Sequence, residues 1–358
     1  MRQFNPFILF LFIFVHLLIS SPQVHATNLE SLNRLPLPPE KTIERLNELK
    51  YTPWNGKFLE RIVNLNSPCK ISRATIEIED PKTKEKQSLL LRLILPKTSE
   101  APPAMILVPS IDGITILEPT VSARLCANGI ATIIADINDT SLPKDLPAWD
   151  HEDKVNRKAI ISLRTIVDFA TQSPLFDHEK IGLFGTSLGG INAAFMAGIE
   201  PDRLKALVIV VGGGDLPHAL ATGNSAKISR LRSRRMLHEK ITSVDEYEKI
   251  LNQSVRYDPI YFAAQAKPEN IFMAIGAKDR TVPYICQKTL HEAFGNPEYM
   301  VFNSTHIPSV IKTVLFSFHK IVDFLRRRLE FFKLNSLNEE ETELQIDAIY
   351  QDLQDNEE

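Results

Sequence analysis

The chain has 358 residues, 41 basic and 44 acidic side chains, a formal net charge of −3 and 44% hydrophobic residues. That balance excludes disordered and collagen-like chains. With neither a basic excess nor a nucleic-acid-binding signature, it gives no case for a nucleic-acid partner. The length suffices to bury a substantial core without staples, and no internal repeat is present.

The N-terminus differs in character from the rest. Arg2 precedes an apolar run from Phe7 to Ile19, and Val24-His25-Ala26 supplies a small-x-Ala pattern suited to signal peptidase. The run is short for a bilayer core of ~30 Å, which takes about 20 helical residues. Residues 1–26 therefore read as a cleaved secretory signal, making the protein periplasmic or secreted; an uncleaved membrane anchor is the alternative. Export implies an oxidising compartment, yet the chain has only Cys69, Cys126 and Cys286. Three thiols form at most one intramolecular bridge with one left over, and their spacing fits no zinc pattern. Neither a metal nor a cofactor is expected.

Residues 27–72 read as a Pro-rich linker (Pro36, Pro38, Pro39) followed by a short helix from Glu40 to Leu49. Ala74, Ile76 and Ile78 alternate with polar residues, which predicts a half-exposed strand, paired through an Asp80-Pro81-Lys82 turn with Ser88 to Leu95. From Met105 the pattern changes to short apolar runs alternating with helical periods. Strands are predicted at 105–108, 130–137, 180–184, 204–211, 271–275 and 299–302. Helices are predicted around 121–127, 160–170, 191–199, 289–294 and, as one long element, 309–329. Such alternation builds an α/β domain (residues 73–334) with a mostly parallel, doubly wound sheet and helices on both faces. Residues 212–267 form a helical, lid-like insertion before the acid-bearing strand, and 335–358 an acidic tail with a surface helix and a disordered end.

The chemistry centres on Phe184-Gly185-Thr186-Ser187-Leu188-Gly189-Gly190, set between a predicted strand and a predicted helix. In a G-x-S-x-G elbow the sharp turn lifts the serine to the sheet's carboxyl edge. Residues two before and two after it must lack side chains so that strand and helix can approach. A Walker P-loop is excluded by the missing Lys, and no G-x-G-x-x-G fingerprint occurs. Downstream, Gly276-Ala277-Lys278-Asp279-Arg280-Thr281-Val282-Pro283 leaves a strand, and His306 follows the last strand.

On these residues, in the order Ser, acid, His, the core from about Ala74 to Leu329 resembles the α/β-hydrolase family, most of all its dienelactone-hydrolase and small-ester-esterase branches. The resemblance implies Ser187 as nucleophile, Asp279 as the carboxylate and His306 as the base, with Asp215 as a rival acid. It also implies an oxyanion hole from the Leu188 N–H and, by position, the Ile111 N–H. Ser110 is a secondary candidate, because Pro109-Ser110-Ile111-Asp112-Gly113 stands where the family often has His-Gly. The implied activity is hydrolysis of small-molecule carboxylic esters through an acyl-enzyme. A peptidase, a thioesterase and a non-catalytic relative are the alternatives.

Lys227, Arg230, Arg232, Arg234 and Arg235 crowd the insertion. They read as a solvated helix face, with attraction of an anionic substrate or weak membrane-surface contact as the other readings, while Leu231, Met236 and Leu237 supply apolar lid surface. Trp54, Trp149, Tyr257, Tyr261 and Phe262 are candidates to line the site, though core packing is the ordinary role of such residues. His151, His178, His218 and His238 are read as lying away from the strand edge. The sequons at Asn138, Asn252 and Asn303 read as chance matches.

Overall fold

The computed structural model describes residues 36–64, 67–98, 100–137, 145–331 and 338–354. All of these belong to the compact unit Asn33–Glu358. The expected signal segment, the Asn138 sequon and residues 355–358 lie outside the described residues.

Nine strands make one sheet. At one side β1 (Leu59–Asn64), β2 (Lys70–Glu79) and β3 (Lys86–Leu95) pair antiparallel, and β3 is antiparallel to β5 (Ala131–Ala135). From β5 the sheet continues in parallel through β4 (Ala104–Val108), β6 (Ile181–Thr186), β7 (Ala206–Val210), β8 (Ile271–Gly276) and β9 (Glu298–Phe302). A parallel neighbour requires a crossover, and the helices that supply it cover both faces. Along each strand the side chains alternate between two cores, because successive residues of a strand point to opposite sides. Ile106, Leu183 and Leu207 pack with α3 (His151–Gln172) and α4 (Leu188–Ile199). Leu107, Phe184 and Val208 pack with α2 (Leu117–Cys126) and residues from 310 onward. Strands buried on both faces are therefore almost wholly apolar, Thr132 in β5 and Thr186 in β6 apart, whereas β2, with one solvated face, alternates and buries Ala74, Ile76 and Ile78.

Three elements differ from the sequence reading. Strand β1 lies inside the expected linker; it is the sheet's edge, and Leu59 and Ile62 are exposed, so no burial pattern marks it. The single helix expected over 309–329 is α10 (His306–Ile311), a π-helical turn at Lys312–Phe316 and α11 (Phe318–Leu329), which leaves Phe316 exposed. The acidic tail carries α12 (Glu339–Gln354), and this helix is docked: Gln345, Ile349 and Asp352 are buried at helical spacing. Gln345 Oε1 accepts from the Cys69 N–H at 2.7 Å, and Asp352 meets Arg73 at 2.5 Å and Arg92 at 3.6 Å. Cys69 and Cys126 form a disulfide between β2's leading edge and the end of α2, and Cys286 is free and buried.

The insertion over residues 212–267 contains α5 (Leu216–Thr222), α6 (Ala226–Glu239), α7 (Val244–Ser254) and α8 (Pro259–Phe262), while α1 (Pro39–Glu48) precedes β1 and α9 (Tyr284–Ala293) lies between β8 and β9. Among the described residues no helix is long and apolar enough to cross a membrane, and no cluster of His, Cys, Asp and Glu could hold a metal ion.

Candidate active site

Ser187 sits between β6 and α4 with φ 57° and ψ −115°, a region that side-chain-bearing residues avoid at a cost of order 1–3 kcal/mol. The fold over-determines this conformation. A Cβ at Gly185 would overlap the Gly189 backbone, and one at Gly189 would overlap the Val108 carbonyl. The Ser187 N–H is tied to the Val210 carbonyl on the neighbouring strand at 2.9 Å. The hydroxyl therefore stands at the carboxyl edge of the sheet in a largely buried position.

Asp279 follows β8 in a turn closed by its own side chain: Oδ1 accepts the Thr281 N–H at 2.8 Å and the Val282 N–H at 3.2 Å. Its Oδ2 accepts from Gln287 Nε2 at 2.8 Å and faces His306 Nδ1 at 2.6 Å. His306 opens α10 after β9, and its Nε2 lies 2.9 Å from Ser187 Oγ. A carboxylate only accepts, so Nδ1 carries the proton and Nε2 presents its lone pair to the serine hydroxyl. Hydroxyl, imidazole and carboxylate, delivered by three different strands, thus form one continuous hydrogen-bonded chain. Asp215, the rival acid, takes a left-handed conformation (φ 52°) ahead of α5, with its N–H bonded to Asp258 Oδ1 at 3.1 Å. The imidazole's Nδ1 is engaged by Asp279.

Ser187, Leu188 and Ile111 share the wall of one cavity of about 180 Å³. Leu188 begins α4, so its N–H has no carbonyl four residues back in the helix and adds to the positive N-terminal end. The loop bearing Ile111 is turned by a Gly113 N–H bond to the Ser110 carbonyl (3.1 Å), while Ser110 Oγ accepts from the Asp112 N–H (3.3 Å). Beneath it Glu118 Oε2 accepts the Thr115 N–H at 2.7 Å and the Thr115 hydroxyl at 3.1 Å. Burial is the main cause that pushes the Glu118 carboxyl up to about 7; the bonds from Thr115 oppose it, and the nearby Asp136 charge adds to it.

Four participants escaped sequence reasoning. Gln287 is fully buried; besides holding Asp279, it donates to the Val282 carbonyl and accepts from the Gly276 N–H. Glu118 braces the loop, Lys227 Nζ reaches the Ile111 carbonyl at 2.8 Å, and His151, expected away from the site, lines the Ser187 cavity. A Gln eight residues beyond a candidate acid carries no recognisable signal; Glu118 stands three residues after Thr115, a local capping-box spacing, whereas Lys227 and His151 reach the site through long-range docking.

The basic stretch is largely not the solvated face expected from the sequence. Arg235 is 1% exposed and bonded to Glu152 at 2.8 and 3.2 Å. Arg232 donates to the Gly223 carbonyl at 2.9 Å, and Lys227 is turned toward Ile111. Leu231 packs inward, whereas Leu237 is exposed. The candidate aromatic residues pack elsewhere: Trp54 against Phe58 and Phe169, Trp149 against Tyr247, Phe262 against Phe195.

No family model matches the chain. A curated relative, an uncharacterised 31.7 kDa protein of the traX–finO intergenic region of Escherichia coli, is 29% identical over 173 residues, 46% of this chain and 56% of that protein. The chain therefore matches little more than half of that relative's length. Among solved structures, the acetyl xylan esterase from Paenibacillus sp. R4 superposes with a TM-score of 0.61 at 15% identity, covering 81% of this chain and 92% of that one. Acetyl xylan esterase 1 from Thermoanaerobacterium sp. JW/SL YS485 gives 0.61 at 17% identity, covering 84% and 95%. Est1E from Butyrivibrio proteoclasticus gives 0.51 at 18%, covering 72% and 99%. The architecture shared with these proteins is the α/β-hydrolase fold.

Proposed function

We propose that the protein is a serine hydrolase acting on carboxylic esters through an acyl-enzyme. The observation that carries this reading is the hydrogen-bonded chain Ser187 Oγ to His306 Nε2 (2.9 Å) and His306 Nδ1 to Asp279 Oδ2 (2.6 Å). As Oγ attacks the ester carbonyl, its proton passes to Nε2, and Asp279 stabilises the imidazolium so formed. The oxyanion develops beside the Leu188 and Ile111 backbone N–H groups, each donor of this kind contributing about 2.7–4 kcal/mol to the transition state. Collapse of the tetrahedral adduct expels the alcohol, protonated from Nε2, and leaves an ester on Ser187. Water, deprotonated by His306, then releases the acid. Two structurally similar proteins, both acetyl xylan esterases, support an ester as substrate class. The Cys69–Cys126 disulfide supports export to an oxidising compartment.

The test is a fluorophosphonate probe on the folded protein, combined with p-nitrophenyl ester turnover. The wild type is labelled and turns over ester, and Ser187→Ala does neither. A folded wild type that fails both measurements removes the assignment.

A further inference from the structure

Ser187 lies in the wall of a cavity of about 180 Å³ whose other walls are mostly aliphatic: Ile191 from α4, Leu216 and Ala219 from α5, Ile228 and Leu231 from α6, and Val282 from the acid loop. Among the described residues no Phe, Tyr or Trp lines it and the His151 imidazole is its one ring, so it offers an aromatic acyl group or a sugar little surface on which to stack. A space of about 180 Å³ is several times what the single methyl of an acetyl ester fills, even at ~30 Å³ for a water-sized group.

The roof over this space is fastened down. Arg235 is buried against Glu152 and donates to the Ala148 carbonyl at 3.0 Å, with Trp149 under its guanidinium. Arg232 ties α6 to the Gly223 carbonyl, and Lys227 ties its first turn to Ile111. The cavity is therefore preformed, as small-molecule sites usually are.

Placement also tells which half of an ester it receives. Leu188 and Ile111 line the cavity and His306 does not. The alcohol leaves with the proton that His306 delivers, so it exits on the imidazole side, and the acyl chain on the same carbonyl carbon points the other way, under the roof. We infer that this cavity is an acyl pocket selecting straight aliphatic acyl groups of about four to eight carbons over acetyl. The inference rests on the serine-hydrolase reading and adds its substrate class.

The experiment uses the full chain and two substrate series kept below their micellar concentrations: p-nitrophenyl esters from acetate to decanoate, and alkyl acetates from methyl to hexyl. Along the acyl series kcat/KM rises by about fourfold per methylene up to hexanoate and then falls, while the alkyl acetates differ little among themselves. Ala219→Phe lowers the hexanoate-to-acetate ratio of kcat/KM at least tenfold; Ile228→Trp serves the same purpose should Ala219→Phe not fold. An acetate optimum, a flat acyl series or a gain along the alcohol series, with Ser187 still labelled by the fluorophosphonate, overturns the pocket assignment alone. No labelling and no turnover of any ester removes both readings.

Discussion

Gln287 shows how much of this site depends on a side chain that touches no reacting atom. Its amide shares Asp279 Oδ2 with the imidazole and its carbonyl oxygen is held by the Gly276 N–H, so the carboxylate cannot rotate away from His306. A hydrogen bond to a charged group is worth about 1.5–3 kcal/mol. Gln287→Leu should therefore lower kcat by roughly ten- to hundredfold with little change in KM, as steady-state kinetics would show. Asp279→Asn removes the anion itself and offers the imidazole an amide; on the proposed function a loss near 10⁴ in kcat is expected, as in Ser-His-Asp triads generally. Glu118 makes a different prediction, about pH. A carboxyl held near 7 in the fold and near 4.5 when unfolded keeps its proton longer in the native state. Its contribution is fully present below pH 4.5 and is lost as pH rises toward about 7, a change on the order of 3 kcal/mol. Glu118→Gln keeps an acceptor for Thr115 and cannot ionise. Thermal melts should show it more stabilising at pH 8 than at pH 5; equal shifts at both would contradict the buried-acid account.

At the scale of elements, the strand–turn–helix around Ser187 was legible because its demands are local: glycine on either side of a strained residue, an apolar strand before it and a helix after it. The same holds for the acid loop, where Gly276, Asp279 and Pro283 each serve the turn they sit in. The disulfide is not local. It joins residues 57 apart in sequence, bridging β2 to the end of α2, and three cysteines alone left its pairing open. Closing a loop of that length removes about 4 kcal/mol of unfolded-state entropy in the simple chain model. A Cys69→Ser/Cys126→Ser variant should lose about 2–4 kcal/mol in urea unfolding, a loss that reductant reproduces in the wild type. Helix α6 was placed correctly as a helix but not oriented. A run of Lys and Arg at helical spacing looks solvated, and only the facing Glu152 and Trp149 turn Arg235 inward.

For the molecule as a whole, the last helix has the largest consequence. Asp352 on α12 stands between Arg73 and Arg92, both mostly buried on the antiparallel half of the sheet, while Gln345 caps the backbone beside the disulfide. Removing one partner of a buried ion pair typically costs about 3–5 kcal/mol, because the charges left behind are uncompensated. Asp352→Ala is expected to destabilise by that order in denaturant titrations, well beyond the effect of Glu340→Ala on the exposed first turn. What the chain's own order of residues determined is everything governed by short-range sterics and periodicity: the alternating strands and helices, the elbow at Ser187, the acid turn at Asp279 and the loop position of His306. What only the tertiary structure decided is which distant groups desolvate one another. The burial of Arg235, Asp352 and Gln287, the joining of Cys69 to Cys126 and the aliphatic cavity over Ser187 all arise where segments far apart in sequence exclude water together. The free energy of a buried charge or an apolar wall belongs to that juxtaposition, and no local pattern encodes it.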